Sequence, residues 1–313
     1  MDFDFKNKLF LAPMAGITDH AFRRICLSMG ADCAVTELVS AKALTYNDKK
    51  SFELARVYDD EHPCAIQLFG SDPKVIAAAA KKAVEFSPDF IDINMGCPMP
   101  KLVQNGEGCA LMRSPELCEA IIYSVKCAVD VPVTAKMRRE CDDGAENAAD
   151  VALACERGGA DAVFVHGRTR RQLYSGYADR GSIKRVKQAV KIPVIANGDV
   201  RSPNDYFSIL SDTGADSVMV GRGAYGSPWL FAEIKAAASN KKFTPLTSDQ
   251  KRDMLISQLE TVICDKGDRG IIEFRHHLLQ YCKGFAGSAA LRAAISTVSN
   301  KRSAEEAIEK IMR

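Results

Sequence analysis

The chain has 313 residues, 47% of them hydrophobic, and a nearly balanced charge of 42 Lys+Arg against 40 Asp+Glu. That length can bury a large core in one or two domains, and the balance excludes a global field that would announce a nucleic-acid or membrane partner. Its 11 cysteines are scattered with no C-x-x-C pair and no histidine cluster beside them, which argues against a structural zinc site, any other bound metal and a secreted disulfide framework.

The first residues, MDFDFKNKLF, carry two Asp against two Lys and lack the apolar centre of a signal peptide. No apolar run approaches the ~18 residues of a membrane span, so a cytoplasmic chain without a membrane partner is expected. Short β-rich runs then recur at 9–14, 33–38, 64–69, 90–95, 131–137, 161–167, 192–198 and 216–222, with starts 24 to 41 residues apart. Between them lie helical segments such as 72–86 and 114–129, each opening with Asp or Ser followed by Pro at the first helical position. Continuous apolar strands alternating with helices mean a parallel sheet covered on its outer face. Eight such units predict a closed (β/α)8 barrel of the TIM type over residues 1–240. After a polar break at 239–249 everything reads as helix, so a smaller all-helical domain is expected over 247–313. From 241 to 313 there are 13 Lys+Arg and 9 Asp+Glu, a mild basic excess of four that a solvated helix surface also explains. Within it, the stretch 273–287 reads as turn-rich and gathers Arg275, His276, His277, Tyr281 and Lys283, the best local candidates for phosphate contacts.

In such barrels the working residues lie at the C-terminal strand ends. Here those ends carry Pro13, Met14 and Ala15, then Glu37, Gln67, Asn94, Lys136, His166, Asn197, Gly198 and Asp199, and finally Gly221 and Arg222. Lys136 suits either a Schiff base or the stabilisation of negative charge on a bound ring. Arg138, two residues on, points the same way if the strand continues. His166 suits a general acid/base or a ring-orienting donor, and a satisfied buried histidine is the plainer alternative. The motif GRGAYG at 221–226 satisfies G-x-G-x-x-G, a weak dinucleotide signal. Its position after the last strand favours a phosphate cup made by the final two turns. Three cations near one ring suit a flavin. The stretch DINMGCPMPKLVQNGEG at 92–108 places Cys97 where a buried strand meets a loop, as a packing residue, a metal ligand, a nucleophile or an acid.

Together the stretches LAPMAGITDHAFRRI, QLFGSDP, DINMGCPMPKLVQNGEGCALM, TAKMR, VHGRTRRQLYSGYAD, IPVIANGDV and GADSVMVGRGAYGSPWLF make a specific pattern that spans nearly the whole chain in order. The chain resembles the bacterial tRNA-dihydrouridine synthases, and MGCP with HGRTR carries most of that specificity. The resemblance implies an FMN-bearing barrel, a helical tRNA-binding domain and NADPH, or NADH, as reductant; a monomer is the default expectation. It implies that Pro13, Met14 and Ala15 lie below the flavin ring and that Gln67 and Lys136 lie along its edge. His166, Asn197, Gly198, Asp199, Gly221 and Arg222 would complete the ring and phosphate contacts. Asn94 and Arg138 would lie against the target uracil, with Cys97 as the proton donor. Lys101 and the glycines after it would form a mobile loop closing over RNA, with Arg275 and Lys283 on the tRNA side. The chain departs from its relatives at Cys141 and Arg180, where they commonly carry tryptophans; both positions are expected in loops near the barrel mouth. A flavin barrel for a free small molecule is one rival, and an RNA-binding protein on a disused barrel is the other.

Overall fold

A strand sits at each of the eight expected places in the computed structural model, which describes residues 3–142, 144, 146–283 and 288–312. They are β1 (Leu9–Leu11), β2 (Cys33–Ser40), β3 (Cys64–Phe69), β4 (Phe90–Met95), β5 (Val133–Glu140), β6 (Ala162–Thr169), β7 (Val194–Asn197) and β8 (Ser217–Val220). Each pairs in parallel with the next, and β1 pairs with β8, so the sheet closes into a barrel. The helix starts follow the expected chemistry. Asp72 accepts from the Lys74 and Val75 N–H groups to cap Pro73–Ala83, and Ser114 accepts from Leu117 N–H to cap Pro115–Lys126.

The strands alternate between two cores. Leu9, Leu11, Ile66, Leu68, Ile91 and Ile93 face outward under the helices. Phe10, Val35, Ala65, Phe90, Phe164 and Ile195 face inward and fill the barrel. Phe10 and Phe164 meet edge-to-face at 5.1 Å, and Phe3 and Phe5 lie 5.2 and 5.1 Å from Phe90. The charged N-terminal stretch therefore does structural work. Its two phenylalanines close the N-terminal end of the barrel, tied by Ser217 Oγ, which donates to Phe5 O at 2.6 Å.

Beyond Leu230–Ala238, the helices Ser248–Lys266, Asp268–Tyr281, Ser288–Ser296 and Lys301–Met312 build a second apolar cluster. It includes Ala21 and Ile25 from His20–Ser28, a helix of the barrel. Polar contacts reinforce this seam: Lys266 Nζ meets Asp19 Oδ2 at 2.7 Å, His20 Nδ1 meets Asp265 Oδ2 at 2.7 Å, and Arg24 donates to Thr261 Oγ1 at 2.8 Å. The stretch expected to be turn-rich is corrected here. Residues 273–281 lie inside the helix Asp268–Tyr281, and residues 284–287 lie outside the described residues. His277 and Tyr281 are buried in the cluster because helical periodicity turns them inward with Phe274 and Leu278. Arg275 Nε donates to Val298 O at 2.6 Å, which directs this side chain to the helical segment's own backbone. Among the described residues no helix is long and apolar enough to cross a membrane.

One buried ion pair anchors the helix His20–Ser28 to the barrel. Arg23 Nε and Nη2 donate to the two carboxylate oxygens of Glu61 at 2.7 Å each, and both side chains are buried. Removing one partner strands a charge without solvent. Glu61→Ala is expected to lower unfolding free energy by about 3–5 kcal/mol in urea denaturation. Glu306→Ala, which breaks an exposed pair with Arg302, should change it by less than about 1 kcal/mol. Equal effects would show that burial of the Arg23–Glu61 pair has no energetic consequence.

Candidate active site

The inward positions change character along each strand. On β4 they run Phe90, Asp92, Asn94, and on β6 they run Phe164, His166, Arg168. On β5 they are Thr134, Lys136 and Arg138, so the strand does continue far enough to bring Arg138 to the same side as Lys136. Above the phenylalanine layer the barrel interior is consequently polar. It opens into a cavity of about 1300 Å³ at the C-terminal strand ends. Lys251, Gln280, Tyr281 and Lys283 of the helical segment form part of its wall.

A hydrogen-bond chain organises one side of the cavity. Gln67 Nε2 donates to Asp92 Oδ2 at 2.7 Å, Thr134 Oγ1 donates to Asp92 Oδ1 at 2.6 Å, and Asn94 Nδ2 donates to Gln67 Oε1 at 2.8 Å. Asn94 Oδ1 then accepts from Gly96 N–H at 3.2 Å and Cys97 N–H at 2.9 Å. A buried carboxylate thus orients the turn that carries the thiol, two side chains away. Burial pushes the Asp92 carboxyl upward, against the hydrogen bonds from Gln67 and Thr134. Cys97 is half-buried on the cavity wall. Burial raises its thiol above the ordinary value, outweighing the Met99 N–H and the Arg138 and Lys136 charges, so it is protonated at neutral pH.

The next two strands round the barrel, β5 and β6, bring cations to the cavity. Lys136 Nζ donates to Asn197 Oδ1 at 3.2 Å, and Asn197 is fixed in turn by donating to Met219 O at 2.8 Å. Burial, then repulsion from Arg138, brings Lys136 down to about 8. Arg138 donates from Nε to Gly96 O at 2.8 Å and from Nη1 to Thr169 O at 2.9 Å, tying together the loops after β4 and β6. Burial, with the charges of Lys136, Arg138, Arg168 and Arg222, holds His166 well below its usual range, so its imidazole is neutral. Among the described residues the cavity is lined by seven lysines and arginines against one carboxylate, Asp199. That carboxylate is already engaged, accepting from Arg168 Nη2 and Ala178 N–H at 2.7 Å each. Burial alone would raise Asp199, but these donors outweigh it and hold its carboxyl below the usual range.

The predicted site residues line this cavity except Lys101, Glu37 and, on the helical segment, Arg275, His276 and His277. Lys101 is exposed on Pro100–Gln104, a helix where a mobile loop was expected, and the chain continues into a 3-10 helix at Gly108–Arg113. Glu37 also leaves the rim, because its Oε1 accepts the Gly16 N–H. Cys141 and Arg180 line no part of the mouth. Cys141 is buried against Cys109, and Arg180 opens the helix Arg180–Ala189 and is tied to Ser208 and Asp212. The GRGAYG glycines have a packing reason: a Cβ on Gly223 would stand 2.0 Å from Val200 O, so the turns after β7 and β8 touch only because it is glycine. Three contributors escaped sequence reasoning. Asp92 lies one inward step below Asn94, Arg168 one step above His166, and Tyr174 stacks under the Arg222 guanidinium at 4.6 Å. For the first two, the period of two was the available signal.

The sequence profile of the dihydrouridine synthase family matches residues 10–313. The chain is 39% identical to tRNA-dihydrouridine synthase B of Pseudomonas putida over 301 residues, covering 95% of this chain and 89% of that protein. It is 40% identical to the protein of the same name from Shewanella oneidensis over 281 residues, covering 89% and 87%. Among solved structures it is similar in fold to histamine dehydrogenase from Rhizobium sp. 4-9, with TM-score 0.58, 12% identity and coverage of 81% and 49%. It is also similar to 6-hydroxypseudooxynicotine amine oxidase from Pseudomonas geniculata N1, with TM-score 0.57, 16% identity and coverage of 75% and 48%. The chain spans about half the length of these two enzymes.

Arg168 is fully buried and also donates to Ser175 O and Gly176 O, so it braces the loop after β6 as well as Asp199. Arg168→Met is expected to cost about 3 kcal/mol of stability at neutral pH. The pH dependence has a defined sign. The depressed folded pKa of Asp199 contributes stability above its ordinary value of 3.8, and this is lost as pH falls through the folded value. The gap between wild type and Arg168→Met in chemical denaturation should therefore narrow in strong acid. A constant gap from pH 7 to pH 2 would show that the arginine does not act through Asp199.

Proposed function

The chain belongs to the dihydrouridine synthase family, and on that premise we propose that it reduces the C5=C6 bond of uridines in tRNA to 5,6-dihydrouridine, with FMN as resident cofactor and NADPH, or NADH, as reductant. The observation that carries this reading is the Cys97 thiol on the wall of a cavity lined by seven lysines and arginines, with Arg138 and Lys136 close enough to act on it.

The donor set suits such a cofactor. Pro13, Met14 and Ala15 line the cavity with largely apolar surface, and Gln67 and Lys136 would lie along the edge of a ring. Lys136 donates one hydrogen bond within the protein, which leaves two ammonium donors for a ligand. His166 enters as a neutral imidazole, which donates to a ring without adding charge. Gly198, Asp199, Gly221 and Arg222 supply closely packed turns and a guanidinium for a phosphate. The Asp199 carboxylate does not oppose a phosphate there, because Arg168 and Ala178 N–H engage both its oxygens. Held by these residues and reduced by the nicotinamide, an FMN would supply the hydride that uracil C6 takes up.

The remaining steps belong to the protein. Asn94 and Arg138 would hold the uracil, with Asn94 already fixed by Gln67. Cys97 gives its proton to C5: the S–H bond breaks, the C–H bond forms, and the thiolate left behind is stabilised by Met99 N–H and by the charges of Arg138 and Lys136. Solvent then returns the proton. The target base must leave its stack, at a cost of a few kcal/mol, so the rest of the tRNA has to be held firmly. Residues 1–240 would carry the chemistry and 247–313 would dock the RNA. Lys251 and Lys283 reach the cavity from that segment, and exposed Lys101 sits between the cavity-lining Met99 and Leu102. A free pyrimidine needs neither a cavity of about 1300 Å³ nor a wall built by a second helical unit. A pure RNA binder has no use for a thiol acid.

Cys97→Ala should leave flavin content and its reduction by NADPH intact while slowing reoxidation by tRNA by about 10²- to 10⁴-fold in stopped-flow absorbance. In the wild type that half-reaction should hold through neutral pH and decline only above the ordinary thiol value of 9.0, since the acid must be protonated. A wild-type rate in Cys97→Ala would remove the acid assignment. Lys283→Ala should weaken tRNA binding severalfold and reduce its log–log salt slope by about one, with flavin reduction unchanged. An unaltered salt slope would take this lysine off the RNA path.

A further inference from the structure

Eleven cysteines were scattered in the sequence without a pairing pattern, yet the fold brings two of them together behind the active site. Cys109 Sγ and Cys141 Sγ are 3.2 Å apart, the only contact between two cysteine sulfurs among the described residues, and both thiols are free. They belong to different elements. Cys109 lies on the 3-10 helix Gly108–Arg113, and Cys141 directly follows β5. Arg113 holds the same two segments in register, donating from Nε and Nη2 to the two carboxylate oxygens of Asp142 at 2.7 and 2.8 Å. The sulfurs therefore meet in a braced geometry rather than through free side chains.

The pair is wired to Cys97. The Cys109 N–H donates to Cys97 O at 3.0 Å. Gly108 lies so close that an added Cβ would stand 2.7 Å from that same oxygen, in a left-handed conformation with φ +61°. The Cys97 backbone is thus held from both sides, by Asn94 Oδ1 on its N–H and by Cys109 N–H on its carbonyl. We propose that Cys109 and Cys141 form a redox pair that a peroxide closes into a disulfide and a dithiol reopens, and that closure displaces the Cys97 turn and slows uridine reduction.

Cys141 is the attacking sulfur. The contact with Cys109 favours its thiolate, with Arg113 and Arg170 helping against burial and the Asp142 carboxylate, and it retains 5% exposure where Cys109 has none. Its thiolate attacks one peroxide oxygen, the O–O bond breaks, and a sulfenic acid forms with release of water after protonation. Cys109 sulfur then attacks the Cys141 sulfur, the S–O bond breaks, and a second water leaves. Two thiols and one hydrogen peroxide give one disulfide and two waters. A disulfide requires about 2.05 Å between the sulfurs, so closure draws the two segments together by about 1.1 Å. Displacements of about 1 Å at a reacting group cost up to about 10²-fold in rate.

The test treats the FMN-loaded enzyme with equimolar hydrogen peroxide, blocks free thiols with N-ethylmaleimide and maps non-reduced peptides by mass spectrometry. The expected result is a Cys109–Cys141 cross-linked peptide that dithiothreitol abolishes. Alongside it, tRNA reduction should fall at least about tenfold and recover with dithiothreitol. Cys141→Ser and, separately, Cys109→Ala should keep near wild-type activity before peroxide and most of it afterwards. A peptide map in which both cysteines stay alkylated after peroxide overturns the proposal. So does equal inactivation of the two variants, which would place the damage at Cys97, and so does a cross-link that leaves turnover unchanged. The rate effect rests on the function proposed above, but the cross-link is read without any turnover, so the two ideas fail separately.

Discussion

A strand in a closed barrel turns every second side chain inward, and each inward step climbs about 6.6 Å toward the C-terminal end. Everything else in this molecule depends on what is written at those steps. The lower positions are Phe10, Phe90 and Phe164, which interlock in a dry layer. The next step is abruptly polar on four adjacent strands, with Gln67, Asp92, Lys136 and His166. The dry layer gives the polar one a rigid floor and a low dielectric, so each polar group either finds a partner or changes its proton affinity. Gln67, Thr134 and Asn94 take the first course, His166 and Cys97 take the second, and Asp92 and Lys136 do both.

These shifts move in useful directions for one physical reason. Burial penalises any charged form, so the thiol stays protonated, the imidazole stays neutral and the lysine holds its proton less tightly. The guanidiniums keep their charge regardless and set the sign of the cavity. Overall charge gave no hint of this, because 42 cations and 40 anions average to almost nothing over the whole surface. The asymmetry is local, and folding creates it by gathering strand ends from across the chain.

Much of the barrel was legible because each strand is a continuous apolar run and helices begin at Asp-Pro or Ser-Pro. The rim residues were legible because they follow those runs immediately. What escaped had three causes. Phe3 and Phe5 belong to no regular element, so a charged tail hid a barrel plug. Asp92 and Arg168 stand inside strands, where the search for strand ends did not look. In the last helices, the cations Arg275 and His277 read as an RNA surface, but a 3.6-residue period assigns residues to faces whatever their charge. His277 accordingly falls among Phe22, Phe274 and Tyr225, with both ring nitrogens unpaired and its pKa brought down to about 4 by burial.

The helix His20–Ser28 serves two masters. Arg23 binds it to the barrel through Glu61, while Ala21 and Ile25 complete the apolar cluster of the terminal helices. The two parts of the chain consequently cannot drift independently in evolution. A helical segment transplanted onto a related barrel would arrive with a hole in its core unless this helix travelled with it. Changes in RNA preference would therefore be easier to reach by altering exposed side chains than by exchanging whole modules. A mutation early in the chain, far in sequence from the last helices, is as able to tilt them as one inside them.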